Sequence, residues 1–167
     1  YITAEQQKII AEQSKLVAEL ELITTERELR SVSTSIIEKN EMIESIKKDI
    51  NYASKFLSDS ESKYLLNPLR TKLKDATSGS TDWDEFQKHF NKSYPGFLEK
   101  IASINKSLTI PDLRICAYLC AGQTTKEIAQ MTGLSVRSIE SRRYRLRKKL
   151  DLDLDTSLLS FISNIEL

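Results

Sequence analysis

Between Arg142 and Leu150, six of nine side chains are cationic: Arg142, Arg143, Arg145, Arg147, Lys148 and Lys149, interleaved with Tyr144 and Leu146. Guanidinium and ammonium groups massed in this way bind polyanions, and the arginine fork suits phosphate in particular. The concentration is local. From Lys126 to Lys149 eight cations face only Glu127 and Glu140, so the stretch carries +6 while the chain as a whole carries a formal +1 and its remainder −5. A cationic run alone commonly marks a solvated helix face. Its meaning therefore depends on what holds it.

Other chemistries lack their residues. The single histidine, His89, lies in a different segment from the two cysteines, Cys116 and Cys120, and no base, nucleophile and acid gather in sequence. No metal, no cofactor and no small-molecule site is expected, and the chain reads as not an enzyme. Cys116 and Cys120 are four residues apart in the apolar run "LRICAYLCAG", on one helical face, and read as reduced core residues of a cytoplasmic protein. A composition of 40% hydrophobic and 29% charged residues is ordinary for a helical chain, and no apolar run approaches the roughly 20 residues that span a bilayer. The chain begins at Tyr1 without an initiator methionine. It therefore reads as a piece of a longer parent, and a membrane enters only through a missing N-terminal part that would tether it to the inner membrane.

Three bounded helices position the cations. Thr109 caps the first, with Asp112 three residues on, Pro111 in its first turn and Gly122 as its stop. Thr124 caps "TKEIAQMT", with Glu127 at the capping-box position, and Gly133 supplies the left-handed residue that ends it. Ser135 caps the third, "VRSIESRRYRLRKKL". Two helices joined by "GLS" have the spacing of a helix-turn-helix, with Ala129 small at the crossing and Ile128, Leu134 and Ile139 as core.

At about 100° per residue, Ile139, Leu146, Leu150 and Val136 form one stripe of the third helix. The opposite face collects Arg137, Ser141, Tyr144, Arg145 and Lys148; Glu140 and Arg147 lie on one flank, Arg142 and Lys149 on the other. A helix anchored by the apolar stripe can lie in a DNA major groove, its flanking cations on phosphates and its outermost residues at base edges.

The stretch "LTIPDLRICAYLCAGQTTKEIAQMTGLSVRSIESRRYRLRKKLDL" resembles the four-helix LuxR/GerE-type DNA-binding domain. Together with "WDEFQKHF" and "YPGF" upstream, the variant "RSIESRRYRLRKKL" is similar to the output domain of Bacteroidetes membrane-spanning sensor-regulators. The resemblance covers Trp83 to Leu167. It implies base-reading positions at Glu140, Ser141 and Tyr144, phosphate positions at Lys126, Arg137, Arg142 and Lys148, and double-stranded DNA as partner, with RNA polymerase a further candidate. Arg142 stands where many such domains carry histidine and Glu140 where the residue is often basic, so base preference does not carry over. Arg143 lies near the apolar stripe and is expected to run its stem over Ile139 to the DNA backbone.

Upstream, Tyr1 to Asn67 holds no glycine or proline and reads as one long helix. Leu29, Ile36, Ile43, Ile50 and Leu57 occupy heptad position a, and Val32, Ile46 and Ala53 position d, with Lys39 the one long polar d residue. Ile2, Ile9, Leu16 and Ile23 also recur every seven, in a register that breaks near "TTEREL". The stripe Leu29, Val32, Ile36, Ile43, Ile46, Ile50 and Leu57 calls for a partner, expected to be a second copy in a homodimeric coiled coil; the alternative is folding back onto the globular part. The rod continues through "SKYLLNPLRTKLKDA", where Pro68 either kinks it or opens a new helix.

The expected organisation is all-α: a coiled-coil region at 1–76, a linker at 77–82 ("TSGSTD"), and a LuxR-like DNA-binding domain at 83–167. Two short helices at 83–105 precede the latter, carrying Trp83, Phe86, Phe90, Phe97, Leu98, Ile101 and Ile104 as core, with Tyr94-Pro95-Gly96 as their turn. A fourth helix capped by Asp155 or Thr156 presents Leu158, Leu159, Phe161, Ile162 and Ile165, for a dimer contact or for its own domain. The function expected is a sequence-specific transcriptional regulator. The alternative is a coiled-coil adaptor whose helix-turn-helix binds protein.

Overall fold

The computed structural model describes residues 3–77 and 80–165, and among these every regular element is helical. In chain order they are α1 (Ala4–Ala53), a 3-10 turn (Ser54–Phe56), α2 (Asp59–Ala76), α3 (Ser80–Ser93), α4 (Phe97–Ile104), α5 (Ile110–Cys120), α6 (Thr125–Thr132), α7 (Val136–Lys149) and α8 (Leu158–Ser163). Ile2, Ser78 and Gly79 lie outside the described residues. Of the stretch read as a linker, Ser80 to Asp82 is already helical.

The rod ends earlier than the sequence suggests. After Ala53 the chain tightens into the 3-10 turn, Leu57 turns extended, and Ser58 opens α2 by a reciprocal capping box with Glu61. The signal is Ser58-x-x-Glu61, which stops one helix and starts another without glycine or proline. Pro68 sits inside α2. Arg70 on α2 reaches back to Asn51 of α1, Nη2 donating to Oδ1 at 3.3 Å.

The heptad stripe is buried within the chain. Leu29, Ile36, Ile43 and Ile50 are buried and Val32 is half-buried, with Ser33 and Asn40 buried one turn from the a positions. α1 runs along α3 and meets α6, and Leu29 and Ile36 join Trp83, Phe86 and Phe90 in one core cluster. This is the fold-back alternative: α3 offers an aromatic face that a second rod would otherwise have to supply. Ile46 stays exposed and Leu57 lies beyond the helix, so neither completes the stripe. Lys39, out of place in an apolar seam, forms an ion pair with Asp82 at 2.5 Å. Asn40 Nδ2 donates to the carbonyls of Gln130 (2.8 Å) and Met131 (3.1 Å), where α6 ends, and Gln130 Nε2 donates to Glu41 Oε1 at 2.6 Å. α1 is thereby fixed to the first helix of the helix-turn-helix.

The aromatics of α3 and α4 pack as core. Phe86 and Phe90 stack at 5.7 Å, Phe90 meets Phe97 edge-on at 5.6 Å, and Trp83 meets Tyr118 of α5 edge-on at 5.7 Å. Gly96, at φ +78°, provides the left-handed turn into α4. Ile104, at the end of α4, is exposed.

Candidate nucleic-acid interface

The caps read from the sequence for α5, α6 and α7 are formed. Thr109 and Asp112 close a capping box at α5, as do Thr124 and Glu127 at α6, where Thr124 N donates to Glu127 Oε2 at 2.7 Å. Gly133, at φ +69°, ends α6, and Ser135 Oγ accepts from Ser138 N at 3.1 Å to start α7. α7 is anchored by Ile139, Leu146 and Leu150, all buried, against Ile128 of α6.

Within the helix-turn-helix, two residues read as core are not. Leu134 is 38% exposed and Val136 43%. Gly133 swings the chain outward, and the first turn of α7 has α1 on one side with a gap between. Leu134 and Val136 line that gap, a groove of about 670 Å³ bordered by Asn40, Glu44, Lys48 and Lys126.

The outer face of α7 brings Arg137, Glu140, Ser141, Tyr144 and Arg145 together around one shallow open depression. Tyr144 is 60% exposed, and Lys148 Nζ stands 4.7 Å from its ring centroid, so cation and aromatic act as one surface. Lys126 is exposed at the start of α6, and Arg142 is half-buried on the flank.

The remaining cations have structural partners. Arg143 does not reach outward: its guanidinium donates to Thr125 Oγ1 and ties α7 to α6. Arg147 donates to the carbonyls of Thr156 (2.5 Å) and Asp153 (2.6 Å), holding the loop before α8. Lys149 pairs with Asp112 Oδ2 at 2.6 Å and donates to Ser107 O at 3.3 Å. The basic run is thus two sets: Arg143, Arg147 and Lys149 staple the fold, while Arg142, Arg145 and Lys148 face out with Arg137 and Lys126. Asp112 carries two roles, since the sequence shows it only as a cap. The loop held by Arg147 moves the start of α8 to Ser157, whose side chain caps it in place of Asp155 or Thr156. Leu158 and Ile162 pack onto the domain's own core, against α5.

Burial acts to raise the Asp112 pKa, but hydrogen bonds from Lys149 and Thr109 outweigh it and hold the carboxyl below its ordinary 3.8. Asp112 thus ionises more readily folded than unfolded. Its stabilising contribution is complete above about pH 4 and is lost as pH falls through the folded value. Unfolding free energy measured by denaturant titration should fall with pH below about 4, and Asp112→Asn should remove part of that fall.

Burial pushes the Cys116 thiol up to about 12 and Cys120 to about 11, so both stay protonated, as core residues do. Among the described residues no three His, Cys, Asp or Glu side chains group as for a metal ion, and no helix is long and apolar enough to cross a membrane.

Residues 118–150 match the family model for Sigma-70, region 4. The match runs from the end of α5 through α7 and so takes in both helices of the helix-turn-helix. No curated protein and no solved structure matches the chain. Within the matched segment, α6 is the first helix and α7 the second, joined through Gly133. Of the residues that the sequence proposes for DNA contact, Lys126, Arg137, Glu140, Ser141, Tyr144, Arg145 and Lys148 are exposed and Arg142 is half-buried. Arg143 is the one member of the set turned inward.

Proposed function

We propose that the chain is a sequence-specific double-stranded-DNA-binding transcriptional regulator. Its recognition helix α7 enters the major groove with Glu140, Ser141 and Tyr144 at base edges and Lys126, Arg137, Arg142, Arg145 and Lys148 on phosphates. The observation that carries this reading is the division of labour on α7: an outward set of cations surrounds neutral and acidic hydrogen-bonding side chains, as base readout between phosphate contacts requires. The domain is LuxR-like, a reading supported by the four-helix order α5 to α8 with α8 packed on α5. We also assign it a homodimeric state, contact with RNA polymerase, and a place as the cytoplasmic output part of a membrane sensor.

Ser141→Ala and Tyr144→Ala each remove a groove-facing group without touching the core. Each should change the duplexes recovered from a random pool, with a lost base contact worth about 1–3 kcal/mol. Unchanged preference in both variants would remove these two residues from the base-reading set. A protein-binding adaptor built on the same helices would show no steep, salt-dependent affinity for duplex DNA.

A further inference from the structure

From Thr3 to Thr24 every residue is exposed, because this part of α1 runs past the globular part. At about 1.5 Å per residue the free helix is roughly 30 Å long. It is not a polar helix. Ile9, Ile10, Leu16, Val17, Leu20 and Ile23 are each between 44% and 56% exposed and follow helical spacing along one side. With about 100° per residue, this side lies close to opposite the stripe Leu29, Ile36 and Ile43 that α1 buries on α3 and α6. A partner seated there meets no part of the chain's own globule.

We infer that this N-terminal face of α1, and not the stripe from Leu29 to Ile50, seats a second copy of the chain as a parallel two-helix coil. Charge and register pick the occupant and its direction. With Ile9, Leu16 and Ile23 at d, the a positions hold Gln6, Gln13 and Leu20, the e positions Ile10, Val17 and Thr24, and the g positions Glu5, Glu12, Glu19 and Glu26. An antiparallel pair sets g against g and opposes glutamates along the seam. A parallel pair sets each g glutamate beside an apolar or neutral e residue, where its stem covers Ile10 or Val17. Only the parallel pair in register also brings Gln13 against Gln13, satisfying one amide with the other. The seam is short. Beyond Ile23 the same side turns polar, with Arg27, Arg30 and Thr34, so like charges part the two helices before the globules begin.

This deepens the homodimer element of the function proposed above and rests on it for its use, while its test is independent of DNA. Sedimentation of the full chain at tens of micromolar should give twice the chain mass, and Leu16→Lys with Leu20→Lys should give the single mass with denaturant unfolding of the globule unchanged. Gln13→Cys should cross-link to itself under mild oxidation, because a parallel pair in register sets the two side chains at that position against each other. A wild-type monomer, a lysine variant that remains paired, or a mass of three or more chains overturns the inference. Pairing without the cross-link overturns the parallel direction. A dimer that binds no DNA would sink the proposed function and leave the pairing standing.

Discussion

Replacing Ile36 with Ala should lower the unfolding free energy of the DNA-binding unit by about 2–5 kcal/mol, although the residue lies more than eighty positions before the helix-turn-helix. Ile36 is 5% exposed and belongs to the cluster that holds Trp83, Phe86, Phe90 and Ile128. Truncating it removes apolar surface from that cluster and leaves a cavity that the rigid α1–α3 pair closes only in part. Leu16→Ala, on the same helix but 56% exposed, should stay within about 0.5 kcal/mol in a monomeric sample. The check is denaturant unfolding followed by near-ultraviolet dichroism, which reports on Trp83. Equal, small effects for both residues would mean that α1 is an appendage of the domain and not part of it.

Raising salt from about 50 to 200 mM should weaken binding to a specific duplex by on the order of 10²–10³-fold. Five outward cations, Lys126, Arg137, Arg142, Arg145 and Lys148, each displace a condensed counterion, and a slope near −0.9 per phosphate gives a total near −4.5. Arg142→Ala and Lys148→Ala should each flatten that slope by roughly one unit and weaken all duplexes alike. Arg147→Ala and Lys149→Ala should behave otherwise, leaving the slope and lowering stability, because their charges are engaged with Asp153, Thr156 and Asp112. Fluorescence anisotropy across a salt series separates the two groups. If all four variants flattened the slope equally, the division of the basic run into two sets would fail.

What was legible in the sequence is what is settled within a turn or two of helix. Thr109, Thr124, Ser135 and Gly133 announce the boundaries of α5 to α7 because a cap and its backbone partner are three residues apart. Ser58 and Glu61 follow the same rule, and reading the absence of glycine and proline as continuity hides them. Tertiary partners were not legible. A seven-residue stripe records that one side of a helix is buried but not against what, although Lys39 was a warning, since a charge in an apolar seam needs an opposite charge such as Asp82. A helical wheel sets Arg143 near the apolar stripe without showing what it meets, and it cannot tell the flanking Arg147 and Lys149 from the flanking Arg142. The partners of Arg143, Arg147 and Lys149 lie 18, 6 to 9 and 37 residues away, and only the folded chain brings them close. Leu134 and Val136 fail for a related reason. The helix-turn-helix pattern assigns Leu134, and the wheel Val136, an inner side, but the neighbouring helix stands off from the turn and leaves them open.

α1 is unbroken from Ala4 to Ala53, and its second half is stapled to α6 through Asn40 and Glu41. Such a helix behaves like a shaft keyed to the recognition unit, so whatever is joined to its free end is joined in angle as well as in distance. One residue added or lost ahead of Leu29 would turn the attached part by about 100° relative to α7, whereas seven would restore its facing and only lengthen the reach by about 10 Å.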